Sequence, residues 1–219
     1  MIRRIKLSNF KCFQSLNLFC APLTLLCGLN GMGKSSVIQA LLVLRQSIES
    51  GDLLDGRLVL GGELSDLGTG TDVLFEDAQS DVIGFEIESD EIEKTWTLSF
   101  DCSQTTDQLT STEGNSNQST PLVPMGWQKV PPFGHNLLYI DAERVGPRKS
   151  YPLFETLARR ADFGIASEYA LNYLNLHQNE LLPSDDSRCS GLPGNRKHRL
   201  VDVVNHWLQG VTPGAHLEL

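Results

Sequence analysis

Alternating hydrophobic and polar residues mark three stretches of the chain as β-strands. Residues 2–10, 81–89 and 93–101 each place a large apolar side chain at every second position for part of their length. A period of two is typical of strands that bury one face and expose the other. These stretches therefore predict antiparallel strands with one solvated face.

An unbroken apolar run, LTLLCG at residues 23–28, predicts a strand buried on both faces. After it, apolar residues between Val37 and Ile48 recur at helical spacing, and Gly51 provides a stop signal. The predicted order in this part of the chain is therefore strand, loop and helix.

The second half of the chain predicts a strand followed by helices. Residues 136–141, NLLYID, have the apolar pattern of a strand, and residues 212–219 have that of the beginning of another. Helical spacing occurs in residues 153–163, 167–182 and 199–211. Together with the first half, these patterns predict the α/β class.

The loop before the first helix carries a motif, CGLNGMGKSS at residues 27–36. Four residues separate Gly28 from Gly33, Lys34 and Ser35, which is the spacing of a phosphate-binding loop, or P-loop. Such a loop leaves backbone N–H groups at a helix N-terminus without partners, and an anion satisfies them with help from the helix dipole. The motif predicts a site for a nucleoside triphosphate.

The chemistry of phosphate binding explains the residue types in this loop. Gly28 and Gly33 permit backbone angles and close approaches that a Cβ would obstruct. Lys34 can reach the β- and γ-phosphates and stabilise their charge, and the Ser35 hydroxyl is the expected protein ligand of Mg²⁺. The predicted ATP-binding residues are Gly28, Leu29, Asn30, Gly31, Met32, Gly33, Lys34, Ser35 and Ser36, several of them through the backbone alone.

The charge distribution favours an anionic ligand near the loop. Of a net charge of −9, residues 1–50 contribute six basic against one acidic side chain, and residues 51–101 contribute two against fourteen. The acidic middle would repel a nucleic-acid backbone from that face, which argues against direct DNA binding by this chain.

Composition also bounds the location and the metal chemistry. No apolar run approaches the length of a membrane span, and the N-terminus lacks the pattern of a secretory signal, so we expect a cytoplasmic protein without a membrane partner. The five cysteines contain no Cys-x-x-Cys pair, so neither a zinc site nor a redox dithiol is indicated.

Residues 2–18 and 23–44 together resemble the amino-terminal segment of the ATPases grouped with structural-maintenance-of-chromosomes proteins and their ABC-type relatives. Among these, the chain is most similar to the compact AAA-type, overcoming-lysogenization-defect-like ATPases, including those of bacterial anti-phage systems. Residues 137–152 and 201–214 resemble further segments of the compact members. The residues that carry the resemblance are Leu7, Asn9, Phe10, Lys11, Phe13, Gly28, Asn30, Gly31, Gly33, Lys34, Ser35 and Ser36.

The resemblance implies an ABC-type ATPase head with a mixed sheet around the P-loop. Residues 1–51 would form its core segment, residues 52–141 an antiparallel β lobe, and residues 142–219 the start of a helical lobe. Within the β lobe, residues 103–126 are rich in small polar side chains, so we expect a flexible insertion there. Such heads bind ATP between two copies, which implies a homodimer or higher oligomer, with an effector subunit and nucleic acid as partners of the whole complex.

The catalytic residues beyond the P-loop are ambiguous in this sequence. A strand that ends in Asp-Glu and a signature segment are expected of the family, and the nearest match is LLYIDAE, where Asp141 would assist Mg²⁺ and Glu143 would be the general base. The resemblance favours a linker between the lobes instead, with Arg144 and Arg148 near the nucleotide or the partner subunit. It also places Lys11 near the nucleotide.

Three functions remain open from the sequence. The first is an ATP-binding head that dimerises under nucleotide control in a defence or DNA-maintenance complex, with this chain as a truncated or naturally short part of a larger ATPase. The second is a self-contained kinase- or GTPase-type enzyme that uses Asp141 and Glu143. The third is a non-catalytic assembly module.

Overall fold

A computed structural model of the protein describes residues 1–90, 95–112, 123, 139–141, 167, 169–193 and 196–218. Their contacts define two compact units, Met1–Leu137 and Leu138–Leu219. The elements of the first unit are β1 (Ile2–Phe10), β2 (Phe13–Phe19), α1 (Lys34–Glu49), a 3₁₀ turn (Asp52–Asp55), β3 (Arg57–Val59), α2 (Gly70–Val73), β4 (Val82–Ser89), β5 (Trp96–Asp101) and β6 (Gln108–Ser111). Those of the second are α3 (Ala170–His177), β7 (Leu181–Leu182), a 3₁₀ turn (Ser187–Cys189), β8 (His198–Arg199) and α4 (Leu200–Val211).

The first unit is built on a six-stranded sheet with the strand order β2-β1-β4-β5-β6-β3. Among the described residues every strand pairing in this sheet is antiparallel. The alternation in the sequence explains which face is buried, because Leu7 on β1 lies opposite Phe85 on β4, which in turn lies opposite Leu98 on β5. All three side chains belong to one apolar core.

Helix α1 covers the apolar face of this sheet. Ala40, Val43, Leu44 and Ile48 follow the i, i+3, i+4, i+8 spacing of one helix face, and all four join the core of the sheet. Burying an aliphatic side chain of this size is worth about 1.5–3 kcal/mol, so this face supplies much of the attachment of the helix.

The other face of the sheet is polar and carries ion pairs between β1 and β4. Arg4 pairs with Glu88, and Lys6 Nζ lies 2.7 Å from Glu86 Oε1. Arg3 Nε lies 2.6 Å from Asp90 Oδ1, just beyond the end of β4. The basic residues of β1 are therefore paired with acidic residues of β4 or just beyond its end.

Two buried polar side chains attach α1 to the segment that follows it. Gln46 Nε2 donates hydrogen bonds to Val59 O at 2.8 Å and Ser65 O at 3.1 Å, and Gln46 Oε1 accepts one from Ser65 N at 3.0 Å. Ser47 Oγ accepts a hydrogen bond from Val59 N at 2.8 Å. These bonds satisfy backbone groups of β3 and of the loop after it.

The buried strand predicted at residues 23–28 is absent. Residues 20–29 have no regular secondary structure, and Leu23 and Leu25 are 87% and 81% exposed. An apolar run makes a segment suitable for a buried strand but does not specify which strand it would pair with. In this sheet β1 already has a paired strand on each side. The described part of the sheet is consequently antiparallel rather than mixed.

Part of the segment predicted as a flexible insertion, residues 103–126, belongs to the sheet. Gln108–Ser111 forms β6, which pairs with β5 on one side and with β3 on the other. The reason is the alternation of its burial, since Leu109 and Ser111 are buried between exposed neighbours. Val123 is also buried, and residues 113–122 and 124–126 lie outside the described part of the chain.

The second unit contains two of the predicted helices. Helix α3 falls within residues 167–182, α4 falls within residues 199–211, and residues 153–163 lie outside the described part. Residues 212–218, where a strand was predicted, form no strand. Instead the buried Asn205 side chain donates a hydrogen bond to Leu217 O and accepts one from Leu217 N. None of the helices in the described ranges is long and apolar enough to cross a membrane.

Candidate nucleotide-binding site

The loop between residue 28 and α1 adopts the backbone conformation for which its glycines are suited. Gly28, Gly31 and Gly33 have φ values of 152°, 82° and 86°. Side chains rarely tolerate positive φ, so these three positions explain the glycine content of the motif. The loop is exposed around them, and the Leu29 and Met32 side chains are 79% and 65% exposed.

Helix α1 begins at Lys34 and has an open N-terminus. Its N-cap is Gly33, no side chain caps it, and its first turn contains no acidic residue. The first N–H groups of a helix have no intrahelical acceptor, and the helix dipole places a partial positive charge at this end. An anion at this position would meet several backbone donors and no negative side chain of the helix.

The Lys34 side chain turns back over the loop. Its ammonium donates hydrogen bonds to Gly28 O at 2.8 Å and to Leu29 O at 2.7 Å. A lysine ammonium has three donors, so one remains for an anion while two fix its position. The sequence prediction placed Lys34 at the phosphates, and the structure brings its charge together with the loop that would hold them.

The two serines after Lys34 occupy different environments. Ser35 is exposed in the first turn of α1, where its hydroxyl oxygen suits a hard cation such as Mg²⁺. Ser36 is buried, and its Oγ lies 3.9 Å from the sulfur of Cys12. The structure therefore separates a hydroxyl open to a ligand from one that faces the protein.

Lys11 lies in the turn between β1 and β2 and reaches α1 rather than the P-loop itself. Its Nζ donates a hydrogen bond to Gln39 Oε1 at 3.0 Å. The same turn brings Cys12 and Phe13 against Gly33, where an added Cβ would overlap both side chains. These contacts pack the β1–β2 turn against the start of α1, next to the P-loop.

Sequence reasoning missed Cys12 and Gln39. One signal could have found them, because Gly33, Ser36 and Gln39 are spaced by three along α1 and so share one face of the helix. A glycine and a small hydroxyl residue in that spacing leave room for other side chains against this face, and the amide of Gln39 offers them a hydrogen-bond partner.

Among the other predicted site residues, Asp141 is described and lies in the second unit. The half-buried Tyr139 donates a hydrogen bond to its carboxylate, and the pKa of Tyr139 is raised by burial and then by the charge and hydrogen bond of Asp141. Glu143, Arg144 and Arg148 lie outside the described residues. Within the part of the chain that is described, no three His, Cys, Asp or Glu side chains cluster as a metal site.

Residues 1–130, which are more than half of the chain and include the whole P-loop, match the sequence model described as "AAA ATPase domain". No protein with a curated description matches the chain by sequence.

Proposed function

Because the chain belongs to the AAA ATPase domain family, we propose that residues 28–36 bind the triphosphate of Mg²⁺-bound ATP. The observation that carries this proposal is the position of the Lys34 ammonium, on the carbonyl oxygens of Gly28 and Leu29 and at the uncapped start of α1. A triphosphate there would receive a cation, backbone N–H donors and a favourable dipole at once.

The loop also suits a triphosphate because its backbone and the Lys34 ammonium would need little rearrangement on binding. The three left-handed glycines already have the positive φ values of the loop, and two hydrogen bonds already orient the ammonium. Binding therefore costs less conformational entropy than it would in a mobile loop. Ser35 would supply a protein oxygen to Mg²⁺, which when bound neutralises charge on the phosphates.

The described residues support ATP binding more strongly than hydrolysis. A hydrolytic site needs a group that orients or deprotonates the attacking water. Glu143, the general base that the sequence offers, lies outside the described residues, and Asp141, which would assist Mg²⁺, accepts a hydrogen bond from Tyr139. We therefore assign nucleotide binding to residues 28–36 and leave the general base outside this assignment.

We further propose an ABC-type role, in which ATP brings two copies of the chain together. The exposed apolar side chains of Leu29 and Met32 on the loop support it, since a covering surface would remove them from water. The resemblance of residues 2–18 and 23–44 supports a place for such a dimer in an anti-phage defence or DNA-maintenance complex.

Replacing Lys34 tests the proposed binding site. We expect Lys34→Ala to weaken the affinity for ATP in the presence of Mg²⁺ by at least about tenfold, because it removes a charge-assisted contact to phosphate. Isothermal titration calorimetry measures the dissociation constant. Lys6→Ala is the matched control, since it removes the same charge from a lysine paired with Glu86 on the sheet. Equal affinities of Lys34→Ala and the wild type would refute the proposal.

Sedimentation velocity tests the dimer separately. A non-hydrolysable ATP analogue should convert the wild-type chain to a faster-sedimenting species and should leave Lys34→Ala unchanged, because only occupied P-loops would be bridged. A wild-type chain that binds the analogue and stays at its original sedimentation coefficient would exclude nucleotide-controlled dimerisation and leave ATP binding intact.

A further inference from the structure

The β1–β2 turn, defined as Lys11 and Cys12 together with the flanking strand residues Asn9, Phe10 and Phe13, contacts one face of α1 at three positions. Cys12 and Phe13 lie against Gly33, Cys12 Sγ lies 3.9 Å from Ser36 Oγ, and Lys11 Nζ lies 3.0 Å from Gln39 Oε1. The three contacted residues are each three positions apart. The turn therefore follows the first two turns of the helix, starting at Gly33, where the P-loop becomes helix.

The same turn is anchored on its other side to the sheet and α2. Lys11 N donates to Val73 O at 2.7 Å, and Phe75 N donates to Asn9 O at 2.9 Å. Asn9 Nδ2 donates to Val82 O at 3.1 Å, at the start of β4. Asn9 and Lys11 both hold positive φ values, 51° and 50°, which the surrounding hydrogen bonds must maintain.

Among the residues that the structure describes, regular secondary structure gives the P-loop little other support. The residues that lead into it, 20–29, have no regular secondary structure and are mostly exposed. Gly33, where the loop becomes helix, is in contrast in close contact with Cys12 and Phe13. The position of the loop is thus defined mainly from the helix side, where the turn and α1 meet.

We propose that the β1–β2 turn positions the P-loop, and that Lys11 acts on nucleotide binding through its hydrogen bond to Gln39 rather than by contacting the nucleotide. The inference rests on the proposed ATP site and makes Lys11 and Gln39 a coupled pair of positioning residues. It departs from the expectation drawn from the resemblance, in which Lys11 lies near the nucleotide.

The test is a double-mutant cycle on ATP affinity with Lys11→Met, Gln39→Met and the double variant. Methionine keeps the length of each side chain and removes the donor or the acceptor. We expect each single variant to weaken ATP binding roughly fivefold, the size of one net hydrogen bond, and the double variant to weaken it no further. Lys11→Arg keeps a donor and should bind ATP as the wild type does.

Lys6→Met is the matched control, because it makes the same change at an ion-paired lysine of β1. Loss of affinity in Lys11→Met with none in Gln39→Met would overturn the inference in favour of direct contact. Unchanged affinity in both, or effects that add in the double variant, would overturn it as well. Circular dichroism melting identifies any variant that loses its fold.

Amide hydrogen exchange in the nucleotide-free protein separates this inference from the proposed function. Gln39→Met should speed exchange in residues 28–36 and leave β4 and β5 unchanged, because only the support of the loop is weakened. Unchanged exchange in the loop would overturn the positioning role. Failure of the proposed function would give a different result, in which the wild-type chain and the Lys34→Ala variant bind ATP with equal affinity.

Discussion

At the scale of single residues, Gly33 shows how one position can satisfy two demands. Its φ of 86° favours glycine on backbone grounds, and a Cβ there would overlap Cys12 and Phe13. The motif alone allowed us to infer the need for a positive φ and for room beside a phosphate. The overlap with Cys12 and Phe13 depends on a turn 20 residues earlier in the chain.

The cysteines offer a prediction at the same scale. Cys12 and Cys27 are exposed, whereas Cys102 is buried and desolvation raises its pKa to about 11. Because the thiolate is the reactive form, we expect Cys12 and Cys27 to react quickly with a disulfide reagent at pH 8, and Cys102 and the buried Cys189 to react only on unfolding.

Ellman's reagent measures the rates, and peptide mass spectrometry identifies the thiols. Fast modification of Cys102 in the folded chain would contradict its burial. A Cys12→Ser variant should lose one fast-reacting thiol and leave the reactivity of Cys27 unchanged, which assigns the two fast phases.

At the scale of elements, the sequence predicted the helix after the P-loop closely. Apolar spacing between Val37 and Ile48 and a stop at Gly51 correspond to α1, which ends at Glu49. The pattern sufficed because the helix lies on one apolar face and its buried positions repeat with its own period. The residues that would hold phosphate could be named for the same reason, since they are local to one motif.

Two other elements could not be predicted, for different physical reasons. Residues 23–28 have the composition of a buried strand, but pairing depends on neighbours that are distant in sequence. Strand β6 is only four residues long, and Leu109 is its one large apolar side chain, so its signal was lost in a polar segment. Sheet membership is a long-range property in both cases.

The attachment of α1 to β3 gives a prediction for an element. Gln46→Leu would remove three partly buried hydrogen bonds and leave Ser65 N without its acceptor. Ser65 O would still accept from Gly62 N at 3.0 Å, and Val59 O from Ser47 Oγ at 3.5 Å. Leaving one such polar group unsatisfied costs about 1–3 kcal/mol, so we expect the free energy of unfolding to fall by about that amount. Urea denaturation followed by circular dichroism measures it.

Gln14→Leu is the control for this experiment, because Gln14 is exposed on β2 and the substitution has the same chemistry. Its effect should stay within about 0.5 kcal/mol. Similar losses in the two variants would show that the hydrogen bonds of Gln46 do not hold β3 to the helix.

At the scale of the whole molecule, the charge asymmetry of the sequence has a structural explanation that composition did not reveal. Arg3, Arg4 and Lys6 belong to the basic first segment, and each pairs with an acidic residue of β4 or just after it. The antiparallel pairing of β1 with β4 thus neutralises part of both segments. The positive charge that remains near the P-loop comes from fewer side chains than the count suggests.

Stability at low pH is a prediction at this scale. Hydrogen bonds lower the pKa of Asp52, Asp72 and Asp101 in the first unit, and hydrogen bonds from Arg188 lower that of Asp186 to about 2 in the second. Unfolded aspartate titrates near pH 4. Their contribution is therefore complete above about pH 4 and is lost as the pH falls through the lower folded-state values.

We expect the melting temperature to fall between about pH 4 and pH 2, and Asp186→Asn to make this fall shallower. Differential scanning calorimetry across this range measures both. Asp185→Asn is the control, since Asp185 is the exposed neighbour of Asp186. The same pH dependence in Asp186→Asn and the wild type would show that this carboxylate is not linked to unfolding.

The bare apolar stretch before the P-loop has a consequence for how the protein behaves in solution. Leu23, Leu25 and Leu29 are exposed to water on a segment without regular secondary structure, which is not a strand of the described sheet. A segment of this kind is a template for cross-strand aggregation. Concentrated preparations should therefore precipitate from this stretch first, and whatever shields these leucines should also act as a solubility factor.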